Sequence, residues 1–311
     1  MKNFLFLLIL GISFSNYAQT SEEYFDMAYE AMNTKDYKTV IKYMDKVLEL
    51  ETPNADYYNL KSQAYYELKQ YNEAYETIST GIKRFPKEAS LYDTRGNYLI
   101  SFQEYDYAVA DFDNAIALCT EDSVLHFYYN NRSAAKFNKR DFQGAYDDLM
   151  VAYSYDSTDV GTLTNLGAVC DEVGRGDETL KYLLKCVEAD STFYGVYVNI
   201  GFKYQEMGEY DKAIEYFDLV LEHNENDPLG YSNRSYCKLK LGDLKGAMKD
   251  INESIKIYPQ NPYAYRNRAL IYLEDNKENK ACEDIQTALD RGFTQTYGDE
   301  VYNLKLEHCM E

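Results

Sequence analysis

The sequence predicts an all-α, right-handed superhelical solenoid of about eight helix–turn–helix units closed by a C-terminal helix. Three observations predict it. Asn131, Asn165, Asn199, Asn233 and Asn267 recur every 34 residues, the size of one helix–turn–helix repeat. Small residues recur in the same register. Pro is scarce, 5 in 311 residues, as a helix-rich chain requires. A repeat array of this length needs no division into separate globular domains, because each unit packs only on its neighbours.

Residues 1–18 read as a secretory signal peptide. Lys2 supplies a positive start, Phe4 to Ile12 an apolar core, and Ala18 a small residue before Gln19. The apolar run is shorter than the roughly 20 residues that span a bilayer, so an uncleaved anchor is the lesser alternative. The first Cys is Cys119, so a lipid anchor behind the cleavage site is not expected. The rest of the chain is expected to be exported, to the periplasm of a Gram-negative-type envelope or outside the cell. No membrane insertion is expected after cleavage.

Eight units follow at 21–54, 55–88, 89–122, 126–159, 160–193, 194–227, 228–261 and 262–295, with only Ser123-Val124-Leu125 between units. That insertion is expected to alter the superhelix locally. The fourth residue of a unit is Tyr everywhere except Leu163. The eighth is Ala28, Ser62, Gly96, Ser133, Gly167, Gly201, Ser235 and Ala269. The twentieth is Val40, Thr179 or Ala, and the twenty-seventh is also small or β-branched, from Val47 to Ala288. Small residues at these places let two antiparallel helices approach, and the aromatic rings fill the space around them. Turn punctuation falls between the helices, as at Gly174-Arg175-Gly176-Asp177, Gly208-Glu209-Tyr210 and Gly242-Asp243. Residues 296–311 are predicted to hold a capping helix, with Asp299 as N-cap and Val301, Tyr302, Leu304 and Leu306 covering the last apolar face.

The formal net charge of -20 excludes a nucleic-acid partner, which needs a cationic surface, and disfavours an anionic membrane. It allows a basic partner, although an acidic surface is also a solubility device.

Units three, four, seven and eight carry Arg at their seventh residue (Arg95, Arg132, Arg234, Arg268) and Asp at their twenty-third (Asp111, Asp148, Asp250, Asp284). The other units have neither: Met27, Lys61, Leu166 and Ile200 face Tyr43, Thr77, Tyr182 and Tyr216. Arg and Asp come and go together, which predicts an ion pair between the two helices of a unit. The planar guanidinium fork matches a carboxylate. A phosphate-binding role for these Arg residues is the lesser alternative.

With its eight consecutive units, the pattern over roughly residues 21–295 resembles the tetratricopeptide-repeat family. Tyr stands where the family usually has Trp, and Pro closes a unit clearly only at Pro86 and Pro259. The resemblance implies that the first helix of each unit lines a concave groove. Groove positions would then include the aromatics Phe25, Tyr29, Tyr66, Phe127, Phe137, Phe202, Tyr236 and Tyr263. The acids among them would be Glu22, Asp26, Asp56, Glu67, Asp93, Asp171, Glu172, Glu206 and Glu274, and the bases Lys240 and Arg266. Such a groove favours a peptide with apolar anchors and basic side chains; a solvated face with scattered rings is the alternative. The resemblance also implies that the Asn ladder, Asn131 to Asn267, holds a peptide backbone, since an amide both donates and accepts. Bonding within the repeat is the competing role. The family's Lys and Arg carboxylate clamp is missing: Asp93 stands near Asn97 where the clamp wants Lys.

The six Cys form no CxxC. A bridge between Cys170 and Cys186, on the two helices of unit five, is conceivable, and small buried core residues are the favoured reading. Three His, with His308 beside Cys309, are too few for a metal site. No nucleophile elbow or phosphate loop is present. The expectation is a non-enzymatic scaffold, without cofactor or metal, that binds a protein or peptide in its groove. The alternative is a structural envelope scaffold acting through its convex face or by self-association.

Overall fold

The computed structural model describes residues 20–50 and 54–309. The expected signal peptide, residues 1–18, lies outside them. Among the described residues there are helices and no strand. They form two compact bodies divided at Val124 and Leu125.

The first body contains α1 (Ser21–Asn33), α2 (Tyr37–Glu49), α3 (Ala55–Glu67), α4 (Tyr71–Arg84), α5 (Ala89–Ser101) and α6 (Tyr105–Leu118). The second contains most of α7 (Asp122–Asn138), then α8 (Phe142–Tyr155), α9 (Val160–Glu172), α10 (Gly176–Ala189), α11 (Gly195–Glu206), α12 (Tyr210–His223), α13 (Pro228–Lys240), α14 (Leu244–Ile257), α15 (Pro262–Glu274) and α16 (Glu278–Asp290). Two short helices close it, α17 (Phe293–Tyr297) and α18 (Glu300–His308). The insertion at 123–125 is helical and lengthens α7 at its start.

Local chemistry sets these helix starts. Thr20 and Glu23 form a reciprocal capping box on α1. Asp36, Asp141 and Asp243 cap second helices by accepting from the third backbone N–H beyond them. Asp227 and Asn261 cap α13 and α15, with Pro228 and Pro262 at the first helical position. Asp299 stands at the N-cap of α18, as the sequence predicts, but makes no side-chain cap bond, and the five-residue α17 precedes it.

Packing explains the small residues. The twentieth positions are buried in every unit, and so are the eighth. A Cβ on Gly96 would lie 2.8 Å from the Phe112 ring, and one on Gly201 would lie 2.7 Å from the Phe217 ring. Gly167 meets Leu183 in the same way at 2.5 Å. Where the second helix places a Phe opposite, the first helix therefore needs glycine. Units facing Ile78, Leu149 or Ile251 accept Ser at the eighth position instead.

Each predicted Arg–Asp pair closes as a two-bond fork. Arg95 donates from Nε and Nη2 to Asp111 at 2.7 Å each, and Arg268 does the same to Asp284. The Arg132–Asp148 bonds are 2.9 and 2.7 Å, and the Arg234–Asp250 bonds are 2.7 and 2.8 Å. All four carboxylates are buried.

The cysteines follow the favoured expectation at Cys170 and Cys186 and depart from it at the C-terminal end. Cys282 on α16 and Cys309 at the end of α18 form a disulfide, while Cys170 and Cys186 remain separate buried thiols. Burial pushes the Cys170 thiol up to about 11 and Cys237 up to about 12. These thiols are packing groups that resist ionisation, not nucleophiles.

Candidate binding face

Two stretches of first-helix surface carry recesses, one in each body. In the first body, α3 and α5 enclose about 470 Å³. Asn59, Gln63, Tyr66 and Glu67 line it from α3, and Thr94, Asn97, Tyr98 and Ser101 from α5. Tyr66 stacks on Tyr98 with centroids 4.7 Å apart and donates its hydroxyl to Ser101 at 2.6 Å. Burial, opposed by a hydrogen bond with Ser62, pushes the Tyr98 hydroxyl up to about 12, so it stays protonated. Asn59 donates to Ser90, while its Oδ1 is buried without a protein partner. A buried carbonyl oxygen left unpaired carries a desolvation penalty that a ligand N–H can remove.

In the second body, two smaller recesses adjoin at Ala168. The first, about 160 Å³, lies among Ser133, Ala134, Phe137, Asn138, Leu149 and Asn165. The second, about 170 Å³, lies among Gly167, Asp171, Thr179, Leu183, Asn199 and Phe202. Gly167 and Ala168 leave these hollows open, and Phe202, 43% exposed, forms a wall. Lys203 donates to Asp171 at 2.7 Å and lies 3.3 Å from Glu206. Two of the expected groove acids are thus already paired with a lysine.

The five Asn residues occupy unlike settings. Asn199 is exposed on its recess, and Asn131 and Asn233 are half-buried. Asn165 lines the first recess but donates to Asn130 Oδ1 at 2.9 Å. Asn267 is fully buried; it donates to the Ser232 backbone and hydroxyl and accepts from Arg266. The expectation of five equivalent amides along one open face is corrected there: in the last unit the amide is an internal strut.

Among the expected anchors, Phe127 is half exposed and Phe137 packs edge-on against Phe142 at 5.2 Å. Tyr236 lies under the cations of Arg266 and Lys240, at 5.1 and 5.2 Å. Tyr263 stacks on Phe293 and touches Tyr297, both from the closing segment. Arg266 is 8% exposed and is held by Glu300. The C-terminal segment therefore occupies the groove positions of unit eight, because the array ends there and must cover its own aromatic face.

One residue escaped the sequence reading. Thr179 is the single hydroxyl at the twentieth position, where other units have Ala or Val. It is 4% exposed, its Oγ1 has no protein partner, and it lines the second recess. Among the described residues no group of three or more His, Cys, Asp or Glu could hold a metal, and no helix is long and apolar enough to cross a membrane.

Family models for the tetratricopeptide repeat match residues 55–88, 195–227 and 230–261. No curated protein matches the chain in sequence. Among solved structures, the chain is similar to the APC/C hetero-tetramer Cut9–Hcn1 (TM-score 0.63, 16% identity), over 92% of this chain and 56% of that one. It is similar to Pseudomonas aeruginosa pilF (TM-score 0.61, 16% identity), over 69% and 96% of the two chains. It is also similar to YrrB, described as a TPR protein with an unusual peptide-binding site (TM-score 0.50, 21% identity), over 60% and 95%. At these identities the likeness is one of fold.

Proposed function

The chain is a tetratricopeptide-repeat protein, and from that premise we propose that it is a non-enzymatic scaffold that binds an extended segment of a partner protein along its first-helix face. The observation that carries this reading is the pair of adjoining recesses at Ala168. They present one exposed amide (Asn199), one exposed ring (Phe202) and one buried hydroxyl without a partner (Thr179). An extended peptide has backbone groups that need partners once water is excluded, and side chains that can fill hollows of this size. The peptide-binding site that YrrB carries on the same fold supports the reading.

A peptide selected against residues 20–311 from a random 12-residue library provides the probe. Asn199→Ala should weaken it about 3–10-fold, the loss of one net hydrogen bond. Phe202→Ala should weaken it further, with little change in unfolding. Unchanged affinity in both variants would move the reading to the alternative scaffold, acting through its opposite face or by self-association.

The same proposal includes export. The Cys282–Cys309 disulfide supports it, because such bonds persist in oxidising compartments. A native chain that still begins at Met1 would refute cleavage, and a native chain recovered only from the cytoplasm with Cys282 and Cys309 reduced would refute export.

A further inference from the structure

The first body carries another cleft, away from the first-helix positions of the proposed peptide site. α4, the end of α5 and the turn into α6 enclose about 490 Å³. Leu99, 6% exposed, forms its floor. Around it stand Asn72, Tyr75, Glu76, Phe102, Glu104 and Tyr107. The rings form a connected group: Phe102 lies 6.5 Å from Tyr75 and 6.0 Å edge-on from Tyr71. They are also unusually open for their size. Tyr107 is 67% exposed, Tyr71 42% and Tyr75 37%. Glu76 and Glu104 are exposed, and neither carboxylate has an ion pair or a side-chain hydrogen bond among the described residues.

Aromatic faces carry negative potential, and a cation held over one gains further from a nearby carboxylate. The chain already uses this chemistry at the same ring, where the Arg95 guanidinium, neutralised by Asp111, lies 6.0 Å from the Tyr75 centroid. A neutral ligand could stack on these rings, but it would leave both carboxylates uncompensated. We propose that this cleft binds an arginine side chain of a partner protein, with the guanidinium against the Tyr75, Phe102 and Tyr107 rings and paired with Glu76 and Glu104. Arginine suits the site better than lysine because its plane stacks on a ring while its edge donates to carboxylates. The net charge of -20 draws such a partner in from solution. This site shares no lining residue with the paired recesses at Ala168, and the two proposals stand or fall separately.

The test uses residues 20–311 with ring-labelled tyrosine and two capped tripeptides, acetyl-Gly-Arg-Gly-amide and acetyl-Gly-Gln-Gly-amide, followed by NMR. The arginine peptide should shift the Tyr75 and Tyr107 ring signals saturably, and the glutamine peptide should not. The E76Q/E104Q variant should weaken the arginine peptide roughly tenfold, and added salt should weaken it in the parent. Tyr107→Ser, at a site too open to affect folding, should also weaken it. Asn199→Ala should leave it unchanged. Equal binding of the two peptides, or undiminished binding to E76Q/E104Q, overturns the proposal. A neutral trisaccharide that shifts the same rings more strongly than the arginine peptide also overturns it and makes the cleft a sugar site.

Discussion

Pairs α5/α6 and α9/α10 solve the same packing problem with opposite chemistry. In the first, Arg95 on one helix forks onto Asp111 on the other. In the second, the same two positions hold Leu166 and Tyr182, fully and almost fully buried. Where the Arg is present, it also uses a neighbouring ring. Arg132, Arg234 and Arg268 each lie over the Tyr at the fourth position of their own unit, at 5.2 to 5.5 Å. Units one, two and six keep a Tyr there without the Arg, and unit five has Leu163, so the ring itself does not depend on the charge. The difference teaches that the helix pair requires a filled slot, not a charge. A buried ion pair gains little over an apolar pair of similar volume, yet losing one partner leaves a charge that water cannot reach.

The clamps themselves come in two grades, and this gives the largest expected effect. Asp148 also receives Lys136 at 2.8 Å, and Asp250 receives Lys238 at 2.8 Å. Among the described residues Asp111 is paired with Arg95 alone. Arg95→Ala should therefore cost about 3–5 kcal/mol, whereas Arg132→Ala should cost about 1–3 kcal/mol because a lysine stays behind. The double change Arg95→Leu with Asp111→Tyr, which imports the chemistry of α9/α10, should recover most of the loss. Urea unfolding of the four proteins measures all of this. Equal losses in the two single variants would break the grading, and a double variant no better than Arg95→Ala would break the claim that the slot accepts either chemistry.

Acid should separate the two kinds of pair. Burial alone would raise the Asp250 carboxyl, but bonds from Arg234 and Lys238 outweigh it and hold it below the ordinary value. A lowered folded pKa means stability that is fully present above the unfolded value of about 3.9 and lost as pH falls below it. In α9/α10 burial raises the Tyr182 hydroxyl, which gains no charge in acid. Hydrogen exchange, normalised for its intrinsic rate, should show α13/α14 opening before α9/α10 as pH drops below about 4. Asp250→Asn should remove that order. If both pairs open together in the parent, the carboxylate does not govern the response.

The sequence made the helix pairs legible because each unit repeats the same burial demands, and eight copies expose which positions vary together. The Arg–Asp forks were legible for the same reason. What the repeat could not reveal lies where units stop being equivalent. Asn267 keeps the ladder's register but is sealed in, with Ser232 accepting its amide and Arg266 donating to its carbonyl. The Cys282–Cys309 bond joins a repeat helix to a segment outside the repeat, so no internal comparison could point to it. Thr179 differs from the small apolar residues at its repeat position by one hydroxyl, which by itself signals no site. Its significance needed the recess, which depends on Gly167 and Ala168 on a different helix.

The smallest expected effect uses the turns as a control, because there all eight units share one demand and meet it with different residues. The fifteenth residue of every unit has positive φ: Gly174, Gly208 and Gly242 between 74° and 81°, and Lys35, Lys69, Gln103, Arg140 and Asn276 between 56° and 67°. Only the three glycines signal the turn in the sequence. An L-residue in this region costs about 1–2 kcal/mol, against which glycine gives back part through the greater freedom of its unfolded chain. Lys69 is exposed and its side chain makes no bond among the described residues. Lys69→Gly should thus stabilise by about 0.5–1 kcal/mol, a rise of about 1–3 °C in Tm for a chain of this length. Gly208 has open space around its missing Cβ, so Gly208→Lys should destabilise by a similar amount through backbone conformation alone. Opposite shifts of similar size would show that the units differ in turn chemistry as they differ at the clamp, each by a local choice that leaves the shared geometry intact. Shifts of the same sign in both variants would mean that each turn is tuned to its own neighbours, and the unit-by-unit comparison would lose its control.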